Sequence, residues 1–553
     1  MTTPFLQDAA ARLDADRRIG GPYTLGAALI GLLLPAASPD LVAAHDIELR
    51  VAAPNLAERV PVRRRSRADS LPSAQRILIP GARRTLRIAN GLAEFCRDAL
   101  AGRELTVTVD NLAEADQTDR ELIEVLRRRV PALRLVEGAH TSAGGPLRED
   151  FDRYRDEGFH HAMAEAGPPA LARLTPGEEE WWTLLHRTAG ALEAIEREDE
   201  AWELYQLARR EGVDPKHRAT VACSMATLLV RHHDPARRDA TEALAWVNEA
   251  IAITSLLPDP AERAFHLGFD LNTRALVEVR LRRFEAAARL VAEAIDLAER
   301  HLAGTHPIHL LVLYGNRALL SGGEAALADY TRAIELDPGY PDYYLDRGNL
   351  LAKLGRTEEA LADYESAMRL SPPFPEPYYN RSELRFAAGD HAGALADLDY
   401  VLELDPGFAP AYVNRAGLLV ALGEYGGAAR DVAKGLELDP ANAHLHAVRG
   451  QVEAIEGRTE AARAAYDAAL GLQPDLVAAW ANRGELAYLG GEFEAAVADL
   501  TQAVKLAESA ELLFNRAVAL RACGRHQEAR EDLLRAAELA PDDPDVRQAL
   551  AED

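Results

Sequence analysis

The stretch PDYYLDRGNLLAKLGRTEEALADYESAMRLSP, from Pro341 to Pro372, decides the fold, because similar stretches recur about every 34 residues. Its first half has helical spacing up to Gly355, a residue suited to a helix C-terminus. Its second half is a helix that Pro372 ends, since proline has no backbone N–H for the helical ladder. A repeated 34-residue helix pair is typical of a solenoid whose stacked pairs present a groove. The pattern therefore indicates a binding scaffold.

Two sets of residues keep this period independently. An arginine recurs at Arg317, Arg347, Arg381, Arg415, Arg449, Arg483 and Arg516, and a proline at Pro338, Pro372, Pro406, Pro440, Pro474 and Pro541. Small residues recur where the two helices must approach closely, as at Gly348 and Ala360. In the first copy the distance between the helices is shorter, so we predict a tighter turn at LLSGGEAA, residues 319–326.

These residues closely resemble the tetratricopeptide repeat (TPR) family over at least residues 307–543, which implies a right-handed α-solenoid. A weaker form of the pattern, as in residues 271–301, predicts about three further hairpins within 178–305. The expected fold class is mainly α, with a smaller N-terminal α/β domain. The predicted parts are the α/β domain at 1–150, irregular TPR-like hairpins at 151–306, the regular array at 307–543 and a capping helix or tail at 544–553.

Composition restricts the partners and the setting. A formal net charge of −26 argues against a nucleic-acid partner, because phosphate contacts need a positive field. Arginine and alanine far outnumber the four lysines, a bias typical of a GC-rich bacterial genome. The cysteines, Cys96, Cys223 and Cys523, show no metal spacing and no paired framework, which favours a reduced, cytoplasmic location.

One N-terminal segment imitates an export signal. DRRIGGPYTLGAALIGLLLPAAS, residues 16–38, has two arginines followed by a short apolar stretch. That stretch is shorter than the ~20 residues that a membrane helix needs, and acidic residues precede it. We therefore predict a buried helix and no membrane association.

The first 150 residues follow another pattern. Residues 46–54, 75–80, 104–112 and 132–138 are predicted strands, and residues 81–102 and 116–130 are predicted helices. Strands that alternate with helices predict an α/β layer around a parallel sheet.

Within this layer, LTVTVDNLAEADQTDRELIEVLRRR, residues 105–129, resembles the second nucleotide-binding motif of signal-transduction (STAND-type) ATPases. The resemblance implies that Asp110 is the magnesium acid and Asp116 the later Asp, while Asn111 stands where the family has another acid. However, the chain has no G-x-x-x-x-G-K-[ST] string and no lysine before Lys216. Phosphoryl transfer depends on such a loop and lysine. We therefore predict a degenerate domain with no enzymatic activity and no cofactor, in which Asp110 and Asp116 are vestigial cofactor-binding residues.

Two further motifs have alternative interpretations. The pairs His160–His161 and His232–His233 lack the spacing of known metal motifs, which favours ordinary helix-end or loop histidines over a metal site. RVPVRRRSR, residues 59–67, is a basic run in an acidic protein. We interpret it as a loop between strands, with an anion-binding or self-association arm as the alternative.

The repeated arginines occur together with aspartates in the second helices. The expected pairs are Arg347 with Asp363, Arg381 with Asp397, Arg415 with Asp431 and Arg483 with Asp499, whereas Arg449 goes with Ala465. A ladder of Arg–carboxylate hydrogen bonds explains this co-occurrence better than ligand binding does.

The residues before these arginines predict a peptide groove. In similar TPR proteins the equivalent asparagines face the concave side and hold the backbone of an extended peptide. The matching residues here are Asn316, Asn380, Asn414, Asn482 and Asn515, with Asp346 and Val448 interrupting the row. Aromatic side chains nearby are Tyr379, Phe386, Tyr488 and Phe514, with Glu383 and Glu485 between them. Aromatic anchors with acids favour an apolar or basic peptide.

The sequence thus favours a non-enzymatic TPR scaffold that binds a protein or an extended peptide. The alternative is a regulator related to STAND ATPases whose N-terminal domain responds to nucleotide. The sequence leaves the oligomeric state open.

Overall fold

The computed structural model describes residues 11–67, 71, 81–141, 144–211, 214–302 and 304–551. The chain divides into two compact units, Met1–Arg381 and Ser382–Asp553, and we treat each by itself. This division falls inside the repeat array, so the domain bounds given above remain a prediction.

The N-terminal part of the first unit, residues 11–171, is here called the head. It contains a parallel sheet in the order β1–β2–β3, formed by Ala11–Asp14, Leu105–Asp110 and Leu133–Glu137. Leu105 pairs with Leu133 and Val107 with Ala11. The predicted strands at 104–112 and 132–138 are thus confirmed, while β1 was not predicted. The predicted strand at 75–80 lies outside the described residues.

The helices of the head are α1 Arg17–Gly20, α2 Thr24–Leu33, α3 Pro39–Ala44, α4 Asp46–Ala52, α5 Gly81–Leu100, α6 Gln117–Arg129, α7 Phe151–Asp156 and α8 His160–Leu171. They cover the sheet, with α2 packed against β1 and α6 against β3, and the other helices of the head pack on these helices and on one another. The apolar stretch that resembles an export signal is α2, with Leu25 and Leu29 buried. Among the described residues, no helix has the length and apolar character that crossing a membrane requires.

The strand predicted at residues 46–54 is wrong, because Asp46–Ala52 is helix α4. The alternation of apolar and polar residues there suggested one buried and one exposed face. In the structure Asp46 and Glu48 are both 1% exposed, because Arg64 donates to both carboxylates at 2.7 and 2.8 Å. The polar residues that a strand would place on an exposed face are thus buried in ion pairs with Arg64.

Irregular helix pairs follow the head. They are α9 Glu179–Ala194, α10 Glu198–Glu211, α11 Pro215–Arg231, α12 Ala240–Thr254, α13 Pro260–Arg280 and α14 Phe284–His301, which form the three predicted hairpins. A continuous hydrophobic core runs from Ala15 in the head to Leu228 in α11. The head and the first irregular helices therefore share their core.

The regular repeats are helix pairs of nearly constant length. The first unit contains α15 Pro307–Ser321, α16 Gly323–Leu336, α17 Pro341–Lys353, α18 Thr357–Leu370 and the start of α19 Pro375–Ala387. The second contains the rest of α19 and α20 His391–Leu404, α21 Ala409–Ala421, α22 Tyr425–Leu438, α23 Ala443–Ile455, α24 Thr459–Leu472, α25 Val477–Leu489, α26 Phe493–Leu506, α27 Ala510–Ala522, α28 His526–Leu539 and α29 Pro544–Ala551.

Backbone geometry explains the repeated small residues. Gly355 ends the first helix of its pair at φ +76°, a conformation that side chains disfavour. A Cβ atom at Gly348 would lie 2.7 Å from Cε1 of Tyr364, so the helices could not approach as closely. The first pair has the predicted tighter turn, since only Gly322 separates α15 from α16.

Candidate functional site

The first helices of successive pairs in the second unit, α19, α21, α23 and α25, line a pocket of about 430 Å³ together with α20. Phe386 of α19, Asn414 of α21 and Asn482 of α25 line it. The structure thus brings together three of the residues that the sequence predicts for the groove, from helices separated by regular intervals of the chain.

The pocket has an apolar centre that the sequence analysis did not identify. Leu398, Val413, Val448 and Leu476 contribute to its wall. Val448 occupies the position that carries asparagine in the neighbouring repeats. An interruption of the asparagine row therefore places an apolar surface between Asn414 and Asn482.

Polar side chains also line the pocket. His444 and Gln451, which lie four residues before and three residues after Val448 on α23, also line the pocket. Asn414 Nδ2 donates to Oε1 of Glu383 at 3.2 Å, which places an exposed carboxylate beside the amide. The arrangement provides hydrogen-bonding groups around an apolar depression, as sites for peptide side chains do.

The predicted asparagines of the first unit bond to neighbouring helices. Asn316 Nδ2 donates to Oδ1 of Asn272 at 2.8 Å, and Asn380 Nδ2 donates to Oδ1 of Asn349 at 2.6 Å. Between them Asp346 interrupts the row, and burial raises its pKa to about 6. These side-chain hydrogen bonds connect the first helices of neighbouring pairs.

The remaining predicted groove residues have other surroundings. Tyr379 is half-buried beside Asn380 on α19. The ring of Tyr488 lies 5.5 Å from that of Phe493, and Phe514 packs against the core of the last repeats. Asn515 is exposed on α27. The lining of the 430 Å³ pocket does not include these four residues, and their role in binding stays a prediction.

The structure contains the predicted Arg–Asp pairs of Arg347, Arg415 and Arg483, and two further pairs, those of Arg317 and Arg516. Both oxygens of a largely buried aspartate accept from Nε and Nη2 of an arginine at 2.6–2.8 Å in Arg317–Asp329, Arg347–Asp363, Arg415–Asp431, Arg483–Asp499 and Arg516–Asp532. The hydrogen bond to Asp499 raises the pKa of Arg483. These arginines are therefore structural, as the sequence pattern indicated.

Some of these arginines also reach the preceding repeat. Arg415 Nη1 donates to Asp399 at 2.7 Å and Arg483 Nη1 to Asp467 at 2.5 Å. Arg449 differs, because its own repeat has Ala465 and the preceding one has Ala433 at the corresponding positions. It lies 3.9 Å from Glu453 and is 52% exposed.

In the head, the two predicted vestigial acids have protein partners. Asp110 accepts from Arg12 Nη2 at 2.8 Å and from the N–H of Ala139 at 2.7 Å. The bond from Arg12 lowers the pKa of Asp110. Asp116 caps α6 by accepting the N–H of Asp119 at 2.9 Å, and burial raises its pKa to about 6.

A third acid, missed by the sequence analysis, occupies the N-terminus of α2. Asp119 is fully buried and accepts from the N–H groups of Leu25 and Gly26 at 2.8 and 2.9 Å. Helix N-termini beside parallel sheets bind phosphate through such N–H groups. In this head the carboxylate of Asp119 takes that place.

The histidine pair at 232–233 meets Glu198, with one ligand atom of each within 4.8 Å of the others. His233 Nδ1 lies 2.8 Å from Glu198 Oε2, and His232 Nδ1 accepts the N–H of Asp234 at 3.1 Å. In a neutral ring this puts the proton of His232 on Nε2, which leaves no lone pair for a metal. The cluster therefore acts as a hydrogen-bonded helix junction.

Comparison with protein families identifies the repeats. Models described as tetratricopeptide repeat match residues 385–452, 447–508 and 482–544, and one described as TPR repeat matches 324–355 and 348–386. Residues 324–544 are therefore TPR repeats. No curated protein matches the chain.

Several solved structures resemble parts of the chain. A tetratricopeptide repeat protein from Parabacteroides merdae is 18% identical, covering 51% of this chain and 97% of its own, with a TM-score of 0.34. YrrB, described as a TPR protein with an unusual peptide-binding site, is 24% identical over 31% of this chain and 90% of its own, with a TM-score of 0.25. Yeast Tom70 is 16% identical, covering 84% of this chain and 91% of its own, with a TM-score of 0.33. Similarity at this level does not specify a partner.

Proposed function

We propose that this protein is a non-enzymatic TPR scaffold that binds an extended segment of a partner protein in the pocket of its second unit. The observation that carries the proposal is the meeting of Asn414, Val448 and Asn482 along one depression. The two amides in its lining suit the backbone of a peptide, and the apolar side chains suit one of the peptide's side chains.

The surroundings of the pocket favour an apolar and basic segment. The exposed carboxylate of Glu383 lies at its edge, and the whole chain has a net charge of −26. Opposite charge on the partner would accelerate association and orient it. We therefore expect a large apolar side chain near Val448 and an Arg or Lys near Glu383.

Selection from a random peptide library, followed by fluorescence anisotropy on the selected sequences, tests this function. The expected sequences combine an apolar residue with a basic one. Val448→Arg should weaken their binding about tenfold or more, because it places a charge in the apolar centre. Asn414→Ala and Asn482→Ala should each weaken it less.

Gln527→Arg provides the matched control, since it adds the same charge at an exposed position of α28. It should leave the affinity unchanged. Selection of acidic peptides, or equal affinity of the wild type and Val448→Arg, would show that the pocket is not the binding site.

The nucleotide-responsive regulator is the alternative function. The bonds of Arg12 to Asp110 and of Asp119 to the first N–H groups of α2 count against it, because both engage groups that a magnesium nucleotide would need. Titration with a fluorescent ATP analogue and magnesium should show no binding. Binding that disappears in Asp110→Ala would favour the regulator.

A further inference from the structure

A second pocket, of about 320 Å³, lies inside the first unit between the head and two turns of the repeats. The head contributes α4, α5 and the basic run, while the repeats contribute residues 339–341 and 370–372. The walls include apolar side chains such as Ile47, Val51 and Ile88. Its volume is within the range of sites for small organic ligands.

Arginines dominate the charged groups of this pocket. Those that line it are Arg50, Arg64, Arg65, Arg84 and Arg87, against the carboxylates of Asp46 and Glu157. Both carboxylates already accept hydrogen bonds, Asp46 from Arg64 at 2.7 Å and Glu157 from Arg84 at 2.5 Å. Glu48 and Asp342, outside the lining, bond to Arg64 and Arg87. Five arginines thus face two carboxylates in the lining and two just outside it, which leaves an excess of positive charge in a strongly acidic protein.

Arg87 has hydrogen-bonding capacity that the described protein atoms do not use. It is 5% exposed, and its Nη2 donates to Asp342 at 2.9 Å. Its Nε and Nη1 are buried without a partner among the described residues. The guanidinium lies 3.7 Å above the ring of Phe374, which fixes its position. Buried donors without acceptors cost free energy, so an acceptor supplied by a ligand would stabilise this arrangement.

Direct bonds hold the two walls together. Ser66 Oγ donates to Asp337 Oδ2 at 2.5 Å, and the N–H of Arg67 donates to Asp337 Oδ1 at 2.9 Å. Arg65 and Ser66 line the pocket from the head, and Gly339 lines it from the repeats. A ligand bound here would therefore contact both parts at once.

We propose that this pocket binds a small organic phosphate and that the ligand links the head to the repeats. A phosphate dianion accepts several charge-assisted hydrogen bonds from guanidinium groups, which matches the excess of arginine. The apolar wall formed by Ile47, Val51 and Ile88 accommodates its organic part. Of the two interpretations of the basic run at residues 59–67, this proposal selects the anion-binding arm.

Isothermal titration of the full chain with phenyl phosphate at low ionic strength tests the proposal. We expect saturable binding that is tighter than binding of benzoate, its carboxylate counterpart, or of inorganic phosphate. Arg87→Met and Arg65→Met should each weaken it by roughly tenfold, the effect of losing charge-assisted bonds. Arg65 is exposed, so its variant keeps the fold if Arg87→Met does not.

Arg83→Met is the matched control, because Arg83 lies on the same helix, is 65% exposed and does not line the pocket. Its affinity should equal that of the wild type. The proposal would be overturned if phenyl phosphate showed no saturable binding or if Arg65→Met bound it as tightly as the wild type. It would also be overturned if Arg83→Met lost as much affinity as Arg65→Met. Amide hydrogen exchange should slow at residues 65–67 and at Gly339 and Tyr340 on binding, and protection confined to other segments would also contradict the proposal.

Discussion

Two buried aspartates show that carboxyl groups have different partners in the regular repeats and in the irregular helices. Asp431, 5% exposed, accepts two bonds from Arg415, sixteen residues away on the adjacent helix. Asp270, 3% exposed, accepts from the hydroxyl of Thr254 at 2.8 Å. Burial raises the pKa of Asp270 to about 7. Similar burial thus produces a paired carboxylate in one region and a carboxyl group that resists ionisation in the other.

The head adds a third case, in which carboxylates bond across long stretches of chain. Asp119 accepts from residues 94 and 93 positions away, at the N-terminus of α2. In the repeats the same kind of contact joins neighbouring helices and recurs for Arg317, Arg347, Arg415, Arg483 and Arg516. Damage in a repeat should therefore remain local, whereas damage in the head should affect the whole layer.

The largest expected effect concerns pH and Asp270. Its folded pKa, about 7, lies above the unfolded value of 3.8, so ionisation destabilises the fold. The contribution of Asp270 to the free energy of unfolding is fully present below about pH 4. It falls as pH rises towards 7, by up to about 4 kcal/mol. Asp270→Asn should remove this loss, so that the variant is the more stable form near neutral pH.

Urea unfolding of the wild type and Asp270→Asn between pH 4 and 7.5, followed at the tryptophans of α9–α12, measures this difference. Asp431→Asn, followed at Trp480 of α25 in its own unit, is the comparison, since its carboxylate is paired with Arg415 and its variant should lose stability at neutral pH. A constant difference between wild type and Asp270→Asn at every pH would refute the assignment.

The next effect is that of Asp119→Ala in the head. The substitution leaves the N–H groups of Leu25 and Gly26 buried without an acceptor, so we expect a loss of about 3 kcal/mol. Amide exchange should accelerate across α2, β2 and α6 together, because these elements share one core. Asp98→Ala on the exposed face of α5 should have little effect, and exchange limited to α2 alone would argue against the cooperative layer.

A smaller effect is expected for Asp431→Ala in the repeats. Arg415 keeps its bond to Asp399, so the loss should be about 2 kcal/mol. Faster exchange should be confined to α21, α22 and their immediate neighbours in the second unit. Asp399→Ala, at an exposed position, should cost less than about 1 kcal/mol, and a larger cost than that of Asp431→Ala would reverse the assignment.

The smallest effect comes from completing the ladder at the exceptional repeat. Ala465→Asp supplies Arg449 with the carboxylate that the other repeats have, and we expect a gain of about 0.5–1 kcal/mol. Thermal unfolding monitored by circular dichroism detects the gain. Combined with Arg449→Ala, the same aspartate should become destabilising, because it is then buried without a partner.

The sequence predicted the repeats well because each repeat depends on nearby residues. The period fixed the helix pairs, the turn glycines and the Arg–Asp partners. The same period also predicts two pocket residues that the asparagine row alone does not include. His444 and Gln451 share a face with Val448, since residues at i−4 and i+3 lie together on a helix. Extending the asparagine row by these offsets would have identified them.

The head could be predicted only in part, because distant residues determine its structure. Strand β1 has four residues with little apolar character, and it becomes a strand by pairing with β2. Asp119 reads as an ordinary first-turn acid of α6 until the fold brings α2 against it. Single-sequence periodicity does not contain such contacts.

The gap at Arg449 has a mechanical consequence. Arg415 and Arg483 each bind carboxylates in two successive repeats, whereas Arg449 faces Ala465 in its own repeat and Ala433 in the preceding one. Under tension applied to the ends of the second unit, we expect rupture to begin at the junction of α22 and α23. The junction that separates first under force would then lie beside Val448, which lines the proposed binding pocket.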